Sequence, residues 1–254
     1  MNPAPIDEVV DLLRTLRLPH MRAAAPELLA TAKAQRWDPA QAVKALLTEE
    51  LAGRQASSVR ARRKTAGFPT AKTFDAWDET VSSIPAPTQR ALRTLEWIHR
   101  HENLVVCAPS GTGKTHFLEA LGQAAVDAGH KVAWFSLEHL AALVRRHSAD
   151  DTAAKAIRRI TRADVIVTDD IGLLPVATET AEALYRVVDA AYEKRSIALS
   201  SNLHPAGFDE LMPKTIANAT ADRLLHHAHT VLTAGDSIRL TQATAGKAVT
   251  PLTN

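Results

Sequence analysis

The sequence is poor in cysteine and aromatic residues and has no large excess of either charge. One cysteine in 254 residues excludes a disulfide framework and a zinc-ribbon site. An aromatic content of 4% argues against a base-stacking platform, and a formal net charge of +2 excludes a uniformly basic nucleic-acid binder. The sequence has no apolar run long enough to cross a bilayer, and no basic segment precedes an apolar one at the start. We therefore expect a cytoplasmic protein with no membrane partner.

A phosphate-binding pattern is present at residues 108–115. This stretch reads APSGTGKT, which matches the P-loop pattern G-x-x-x-x-G-K-[ST] except that Ala108 replaces the first glycine. In such a loop the backbone N–H groups hold phosphate oxygens, the lysine reaches the outer phosphates and the hydroxyl ligates Mg²⁺. A β-branched run before the loop and helical spacing after it fit a strand, loop and helix. The predicted ATP-binding residues are Pro109, Ser110, Gly111, Thr112, Gly113, Lys114, Thr115 and His116.

Strand-like runs alternate with helical runs after the P-loop strand. This alternation is typical of a parallel sheet covered by helices, with the ligand at the carboxyl ends of the strands. We therefore predict an α/β fold with a five-stranded parallel sheet between helices. The runs are Leu104–Cys107, Val132–Phe135, Asp164–Thr168, Ile197–Ser200 and Thr230–Thr233.

Two of these runs end in polar residues that a nucleotide site can use. The third run, VIVTDD, ends in Asp169 and Asp170, and the fourth, IALSSN, leads to Asn202. Paired acids often form a solvated turn, but Mg²⁺ beside a P-loop needs a carboxylate opposite the loop hydroxyl. We predict that Thr115 and Asp169 ligate Mg²⁺ and that Asp170 orients or deprotonates the attacking water. Asn202 is placed to hydrogen-bond that water or the γ-phosphate.

The start of the chain differs in character from the rest. It reads as three helices with no strand-like alternation, and Asp38 is the expected N-cap of the third helix. Such a unit has a thin core, so we expect it to pack on DNA or another subunit. Phe68, Phe74 and Trp77 follow in a Pro-, Ser- and Thr-rich stretch, and we expect their rings to dock in a groove. The predicted division is a helical domain at 1–66, a linker at 67–90, an ATPase domain at 91–240 and a disordered tail at 241–254.

Positive charge is concentrated in two stretches. Residues 53–64 carry five basic side chains and no acid, and residues 145–162 carry six basic side chains against two acids. Each stretch alone is equally well explained as a solvated helix face. Together, beside an ATP site, they favour sequence-tolerant and salt-sensitive binding to the phosphates of double-stranded DNA. The predicted DNA-binding residues are Arg54, Arg60, Arg62, Arg63, Lys64, Arg145, Arg146, Lys155, Arg158 and Arg159.

Further segments resemble the IstB-like helper ATPases of IS21-type insertion elements, which are AAA+ relatives of bacterial helicase loaders. These segments are LRLPHM, LLTEELAGR, GTGKTH, TDDIG, YEKRSIALSSN, ADRLLHHAH and GDSIRL. The resemblance implies a bacterial AAA+ ATPase that converts ATP and water to ADP and phosphate. It also implies an ATP-dependent homo-oligomer and a separate IS21-type transposase as partner. By resemblance, Lys114 and Thr115 bind nucleotide and Mg²⁺, Asp169 is the Walker B acid, Asn202 is sensor 1, Arg223 is the arginine finger and Arg239 is sensor 2.

Three functions remain open at this level. The first is a helper of transposition that assembles on target DNA and recruits or activates a transposase. The second is a replicative helicase loader with the same core, and the third is a P-loop kinase of small metabolites. No lid-like arginine segment follows the third strand, which disfavours the kinase. The three-helix start followed by TAGFPTAKTFDAWD resembles the transposition helpers and favours the first function.

Two further features are interpreted as structural. His226, His227 and His229 have no carboxylate or thiol companion at metal-ligand spacing in the sequence. We therefore expect them to pack between a helix and a strand rather than bind a metal. Cys107 lies in the first strand and is interpreted as a small buried residue.

Overall fold

The computed structural model describes residues 5–146, 152–172, 174–238 and 240–241. The chain divides into two compact units between Ala61 and Arg62, a boundary that lies within the third helix. Predicted features at other positions, including Arg239 and most of the predicted tail, lie outside the described residues.

The first unit is helical, as the lack of strand-like alternation in its sequence predicts. Its helices are α1 (Pro5–Thr15), α2 (Pro19–Ala34) and α3 (Pro39–Ala66), the last of which continues into the second unit. The Asp38 carboxylate accepts the N–H of Ala40 at 2.8 Å, which confirms the predicted N-cap. The small core contains Leu13, Met21, Ala25 and Leu46.

The second unit contains a five-stranded parallel sheet among the described residues, and the predicted sheet is therefore confirmed. The strand order is β2-β3-β4-β1-β5. Leu104, Val105 and Val106 are fully buried. Because successive side chains on a strand point to opposite faces, both faces of the sheet are covered at this strand. The strands are β1 (Asn103–Cys107), β2 (Val132–Ser136), β3 (Val165–Ile171), β4 (Ser196–Ser201) and β5 (Ala228–Leu232).

Helices connect and cover these strands. Short 3-10 helices are also present at Phe74–Ala76 and Pro205–Glu210. The helices of this unit are α4 (Ala86–Arg93), α5 (Glu96–His99), α6 (Lys114–Asp127), α7 (Leu137–Arg146), α8 (Thr152–Ile160), α9 (Thr178–Ala191) and α10 (Lys214–Leu225).

Strand β3 is longer than the sequence predicts and contains a β-bulge. It extends past Thr168 to Ile171, so both acidic residues lie within the strand rather than after it. Thr168 pairs with Leu199 and Ile171 pairs with Ser201, which leaves one extra residue on β3. A bulge of this kind redirects side chains at the end of a strand.

The aromatic residues after α3 dock as expected. The Phe68 ring meets the Trp134 ring edge-to-face at 6.0 Å, and Phe74 meets Phe117 of α6 at 5.8 Å. Trp77 also packs on Phe117, with ring centroids 5.4 Å apart. Its indole N–H donates to the side chain of Gln89 at 2.7 Å. This segment therefore packs against the helix that begins at the P-loop.

Candidate nucleotide-binding site

The loop between β1 and α6 has the backbone shape that its glycines permit. Gly111 and Gly113 have φ angles of 87° and 93°, which side chains rarely adopt. A Cβ atom at Gly111 would lie 2.1 Å from the hydroxyl oxygen of Ser237, so glycine is also required for space. The Thr112 hydroxyl donates to the carbonyl of Pro109 at 2.9 Å and closes the loop. The loop thus leads into the N-terminus of α6, where a helix favours anions.

Lys114 is buried at the start of α6 and joins the ends of two strands. Its ammonium group donates to the carbonyl oxygens of Ala108 at 2.7 Å and Pro109 at 2.9 Å. It also donates to the side-chain oxygen of Asn202 at 2.8 Å. The structure therefore brings the predicted P-loop lysine together with the predicted sensor residue.

Thr115 and Asp169 meet as the predicted Mg²⁺ ligands should. The Thr115 hydroxyl donates to Asp169 Oδ1 at 3.1 Å, and Ser200 donates to the same oxygen. Asp169 is 8% exposed, and its burial raises the pKa of the carboxyl above its ordinary value, although these two hydrogen bonds partly offset the rise. A buried carboxylate beside a hydroxyl supplies the hard oxygen ligands that Mg²⁺ takes. These residues fit Mg²⁺.

Asp170 points away from this buried pair. It is exposed, and its φ of 63° lies in the left-handed region. Its backbone N–H donates to the hydroxyl of Ser200 at 2.8 Å. The carboxylate is therefore accessible to solvent next to Asp169, but its role toward an attacking water remains a prediction.

Trp77 and His116 lie beside the loop. A Cβ atom at Gly113 would be 3.3 Å from the Trp77 ring, and the rings of Trp77 and His116 are 5.0 Å apart. His116 Nε2 lies 3.2 Å from the carbonyl of Thr73. Sequence reasoning placed Trp77 in a groove but missed its proximity to the P-loop, because only the fold brings the two together.

Arg223 lies in the last turn of α10. Its Nε donates to Asp189 of α9 at 2.9 Å, and its guanidinium lies over the ring of Tyr185 at 5.1 Å. The side chain is 29% exposed. Its described contacts are within its own helix and to α9, so its role as an arginine finger remains a prediction.

The segment that leads to Arg239 returns to the P-loop. Ile238 donates its backbone N–H to the carbonyl of Gly111 at 3.1 Å. Arg239 itself lies outside the described residues. Its sensor 2 role remains a prediction.

The predicted DNA-binding residues differ in their surroundings. Two of them form ion pairs within the chain: Arg54 with Glu50 at 2.7 Å, and Arg63 with both oxygens of Asp127 at 2.7 and 2.8 Å. On α8, Ile157 and Ile160 pack on the core. The basic residues of this helix, Lys155, Arg158 and Arg159, are exposed, as are Arg60 and Lys64 of α3, while Arg62 is half-buried. The side chains of Arg145 and Arg146 lie outside the description.

The histidines and the cysteine were interpreted as structural, and the fold adds a carboxylate that the sequence did not reveal. A ligand atom from each of Glu193, His226 and His227 lies within 4.8 Å of the others, so the fold brings a carboxylate to these two histidines that is not apparent from their spacing in the sequence. All three are exposed, and such surface groups often meet without an ion. His229 instead pairs with Glu102 at 2.7 Å. Cys107 is buried as predicted, and burial raises the pKa of its thiol to about 11.

Sequence comparison identifies relatives over nearly the whole chain. The family model described as IstB-like ATP binding protein matches residues 11–246. A protein of Pseudomonas aeruginosa named as an ATP-binding protein of insertion sequence IS21 is 34% identical over 235 residues, covering 92% of this chain and 89% of the relative. The corresponding protein of insertion sequence IS5376 from Geobacillus stearothermophilus is 32% identical over 197 residues, covering 77% and 78%.

Solved structures share the fold. DnaA from Aquifex aeolicus bound to AMPPCP matches with a TM-score of 0.54 and 19% identity over 70% of this chain and 54% of that chain. The chain thus spans about half of DnaA. The DnaC helicase loader matches with a TM-score of 0.51 and 15% identity over 64% of this chain and 96% of its own. The AAA+ P-loop fold is confirmed. Across the described residues no helix has the length and apolar character needed to span a membrane.

The burial of Asp169 generates a stability prediction. Without nucleotide and Mg²⁺, Asp169→Asn should raise the free energy of unfolding at neutral pH by about 1 kcal/mol, as relief of functional-site strain commonly does. Burial raises the folded-state pKa, so the ionised carboxylate opposes folding. The gain should shrink as pH falls through that raised pKa, because wild-type Asp169 then becomes neutral. Urea unfolding of both proteins at several pH values, with a chelator present, measures this difference in the free energy of unfolding.

The matched control is Asp170→Asn, because this neighbour is exposed and asparagine also tolerates a positive φ. This substitution should leave the free energy of unfolding nearly unchanged at every pH. A loss of stability in the Asp169 variant at neutral pH would contradict the prediction.

Proposed function

Because the chain belongs to the family of IstB-like ATP binding proteins, we propose that it is an ATP-dependent helper of transposition. It assembles on target DNA, recruits or activates a separate IS21-type transposase, and hydrolyses ATP. The observation that carries this proposal is the convergence of Lys114, Thr115, Asp169 and Asn202 at one edge of the sheet. Relatives encoded by insertion sequences support the transposition context.

The nucleotide site acts by placing charge. Backbone N–H groups of the loop and Lys114 bind the phosphates of ATP. Thr115 and Asp169 would hold Mg²⁺, and the ion would supply positive charge that neutralises the outer phosphates. Asp170, on the exposed side of β3, orients the attacking water or accepts its proton.

Asn202 connects ATP occupancy to the end of β4. Its side-chain oxygen accepts a hydrogen bond from the Lys114 ammonium group at 2.8 Å. Charged phosphate oxygens are stronger acceptors for an ammonium group than a neutral amide. The phosphate oxygens of ATP therefore replace Asn202 as acceptor for the Lys114 ammonium group. The Asn202 side chain then becomes available to hydrogen-bond the γ-phosphate or the attacking water.

Arg223 links hydrolysis to assembly. We propose that it reaches the ATP of a neighbouring subunit, where a guanidinium pairs with γ-phosphate oxygens and stabilises the transition state. Within one chain it is held by Asp189 and stacked on Tyr185, 29% exposed at the end of α10. These contacts limit the conformations of the side chain and lower the entropy lost when it pairs with phosphate.

A replicative helicase loader is the second candidate, and the similarity to DnaC favours it. At 15% identity that similarity concerns the fold alone. The relatives from insertion sequences match at about twice that identity and favour the transposition helper.

The first test of the proposed function is DNA binding. Binding should need an ATP analogue, differ little between unrelated duplexes and weaken steeply with salt, because phosphate contacts release counterions. Replacing Lys155, Arg158 and Arg159 together by alanine should weaken it by about 10-fold or more and reduce the salt slope. Fluorescence anisotropy measures both effects.

The control removes the same charge elsewhere. Arg14, Arg90 and Arg186 are exposed and ion-paired with Asp11, Glu79 and Glu182. Their triple alanine variant should bind nearly as wild type. Tight binding without nucleotide, strong preference for one sequence, or equal loss in both triple variants would count against the proposal.

A second test asks whether Arg223 acts between subunits. Arg223→Ala and Lys114→Ala should each reduce ATP hydrolysis, the first by about 10³-fold or more, as for other arginine fingers. Mixed together, they should recover part of the activity, because an intact site on an Arg223→Ala subunit receives the arginine of a Lys114→Ala neighbour. Phosphate release measures activity, and pull-down of one tagged variant verifies mixed assembly.

A mixture of Lys114→Ala with Asp170→Asn is the matched control. Both changes damage the same half of the site, so mixing cannot restore a complete site. Recovery in this control, or full activity of Arg223→Ala alone, would reject the assignment of Arg223.

A further inference from the structure

Ser200 lies on β4 opposite the two acidic residues of β3 and is fully buried. Its hydroxyl group donates to Asp169 Oδ1 and accepts the backbone N–H of Asp170 at 2.8 Å. A serine hydroxyl has one proton to donate and lone pairs to accept, so one side chain serves both acidic residues at once.

The bond to the backbone of Asp170 coincides with the bulge in β3. The regular pairing of β3 with β4 is interrupted between Thr168 and Ile171, and Asp170 has a φ of 63°. A non-glycine residue in this region is strained and persists only when its surroundings fix it. The Ser200 hydroxyl provides an acceptor for the displaced N–H and thereby stabilises the bulge.

The hydrogen bond that Ser200 donates orients the carboxylate of Asp169. Asp169 Oδ1 receives hydrogen bonds from both Ser200 and Thr115, which come from β4 and α6. Two donors from different elements restrict rotation of the carboxylate about its side-chain bonds. Removing a group that orients a ligating carboxylate in this way commonly lowers metal affinity or activity by about 10- to 100-fold.

We propose that Ser200 is a positioning residue of the nucleotide site, which fixes the Asp169 carboxylate toward Mg²⁺ and the backbone of Asp170 at the bulge. The proposal rests on the proposed function only in requiring that this site bind ATP with Mg²⁺. It does not depend on transposase, DNA or the identity of the arginine finger.

The next residue on the strand offers a matched control. Ser201 is also fully buried, but its hydroxyl oxygen accepts from the backbone N–H of Leu203 at 3.0 Å, within the turn after β4. Ser201→Ala therefore removes a buried hydroxyl from the same strand without touching either acidic residue.

The test compares Ser200→Thr with Ser200→Val in the full chain. Ser200→Thr adds a methyl group and keeps the hydroxyl, whereas Ser200→Val adds the same methyl group and replaces the hydroxyl by a second methyl group. The two variants therefore have nearly the same shape and differ mainly in hydrogen bonding. Binding of a fluorescent ATP analogue is titrated with Mg²⁺, and kcat and KM for ATP are measured at saturating Mg²⁺. Ser200→Ala and Ser201→Ala complete the set.

We expect Ser200→Val and Ser200→Ala to raise the half-saturating Mg²⁺ concentration by about 10-fold and to lower kcat by about 10- to 100-fold. Nucleotide affinity in chelator should stay within about 2-fold of wild type, because the loop and Lys114 are unchanged. Ser200→Thr and Ser201→Ala should resemble wild type in Mg²⁺ dependence.

Equal Mg²⁺ dependence of Ser200→Val and Ser200→Thr would overturn the proposal, unless the added methyl impairs both. In that case Ser200→Ala, which adds no atoms, decides: wild-type Mg²⁺ dependence in this variant overturns the proposal, and a raised Mg²⁺ requirement upholds it. Wild-type protein that binds nucleotide with Mg²⁺ but neither hydrolyses ATP nor binds DNA would reject the proposed function alone, and the Mg²⁺ titration would still test Ser200.

Discussion

The ammonium group of Lys114 is the contact on which the candidate site depends. It is buried and donates to two carbonyl oxygens at the end of β1 and to Asn202 after β4. A buried charge is costly unless it is hydrogen-bonded, and these neutral oxygens compensate it less well than an anion does. These contacts favour a phosphate group as a partner of Lys114.

The strand order explains why the other polar groups meet there. Strand β4 lies between β1 and β3, so the P-loop, Asn202 and Asp169 reach the same edge of the sheet. Asp169 is buried and Asp170 is exposed at this edge, where a bulge interrupts the pairing of β3 with β4. Segments distant in sequence also contact the loop, with Trp77 close to Gly113 and Ser237 close to Gly111. Geometry at the phosphate site thus depends on the whole second unit.

Sequence patterns predicted those parts of the site that depend on local order. A strand, a glycine-containing turn and Lys114-Thr115 are continuous in the chain, and a buried run followed by Asp169 has the same local character. The predicted parallel sheet and AAA+ fold followed from the alternation of such runs and from the resemblance.

Other features could not be read from local patterns. The bulge at Asp170 depends on a side chain from β4, and the pairing of Arg223 with Asp189 depends on the packing of α10 against α9. The approach of Glu193 to His226 and His227, which follow α9 and α10, also depends on how these two helices pack. Hydrophobic periodicity predicts which face of each helix is buried but not which polar side chains meet across two helices.

When ATP binds, its phosphate oxygens should replace Asn202 as the partner of Lys114. A crystal structure of the full chain with Mg²⁺ and a non-hydrolysable ATP analogue tests it most directly. We predict that the lysine Nζ will leave Asn202 for the outer phosphates, with Thr115 and Asp169 at the Mg²⁺ ion. A nucleotide bound away from the loop, or a lysine still on Asn202 with the phosphates out of its reach, would contradict the claim.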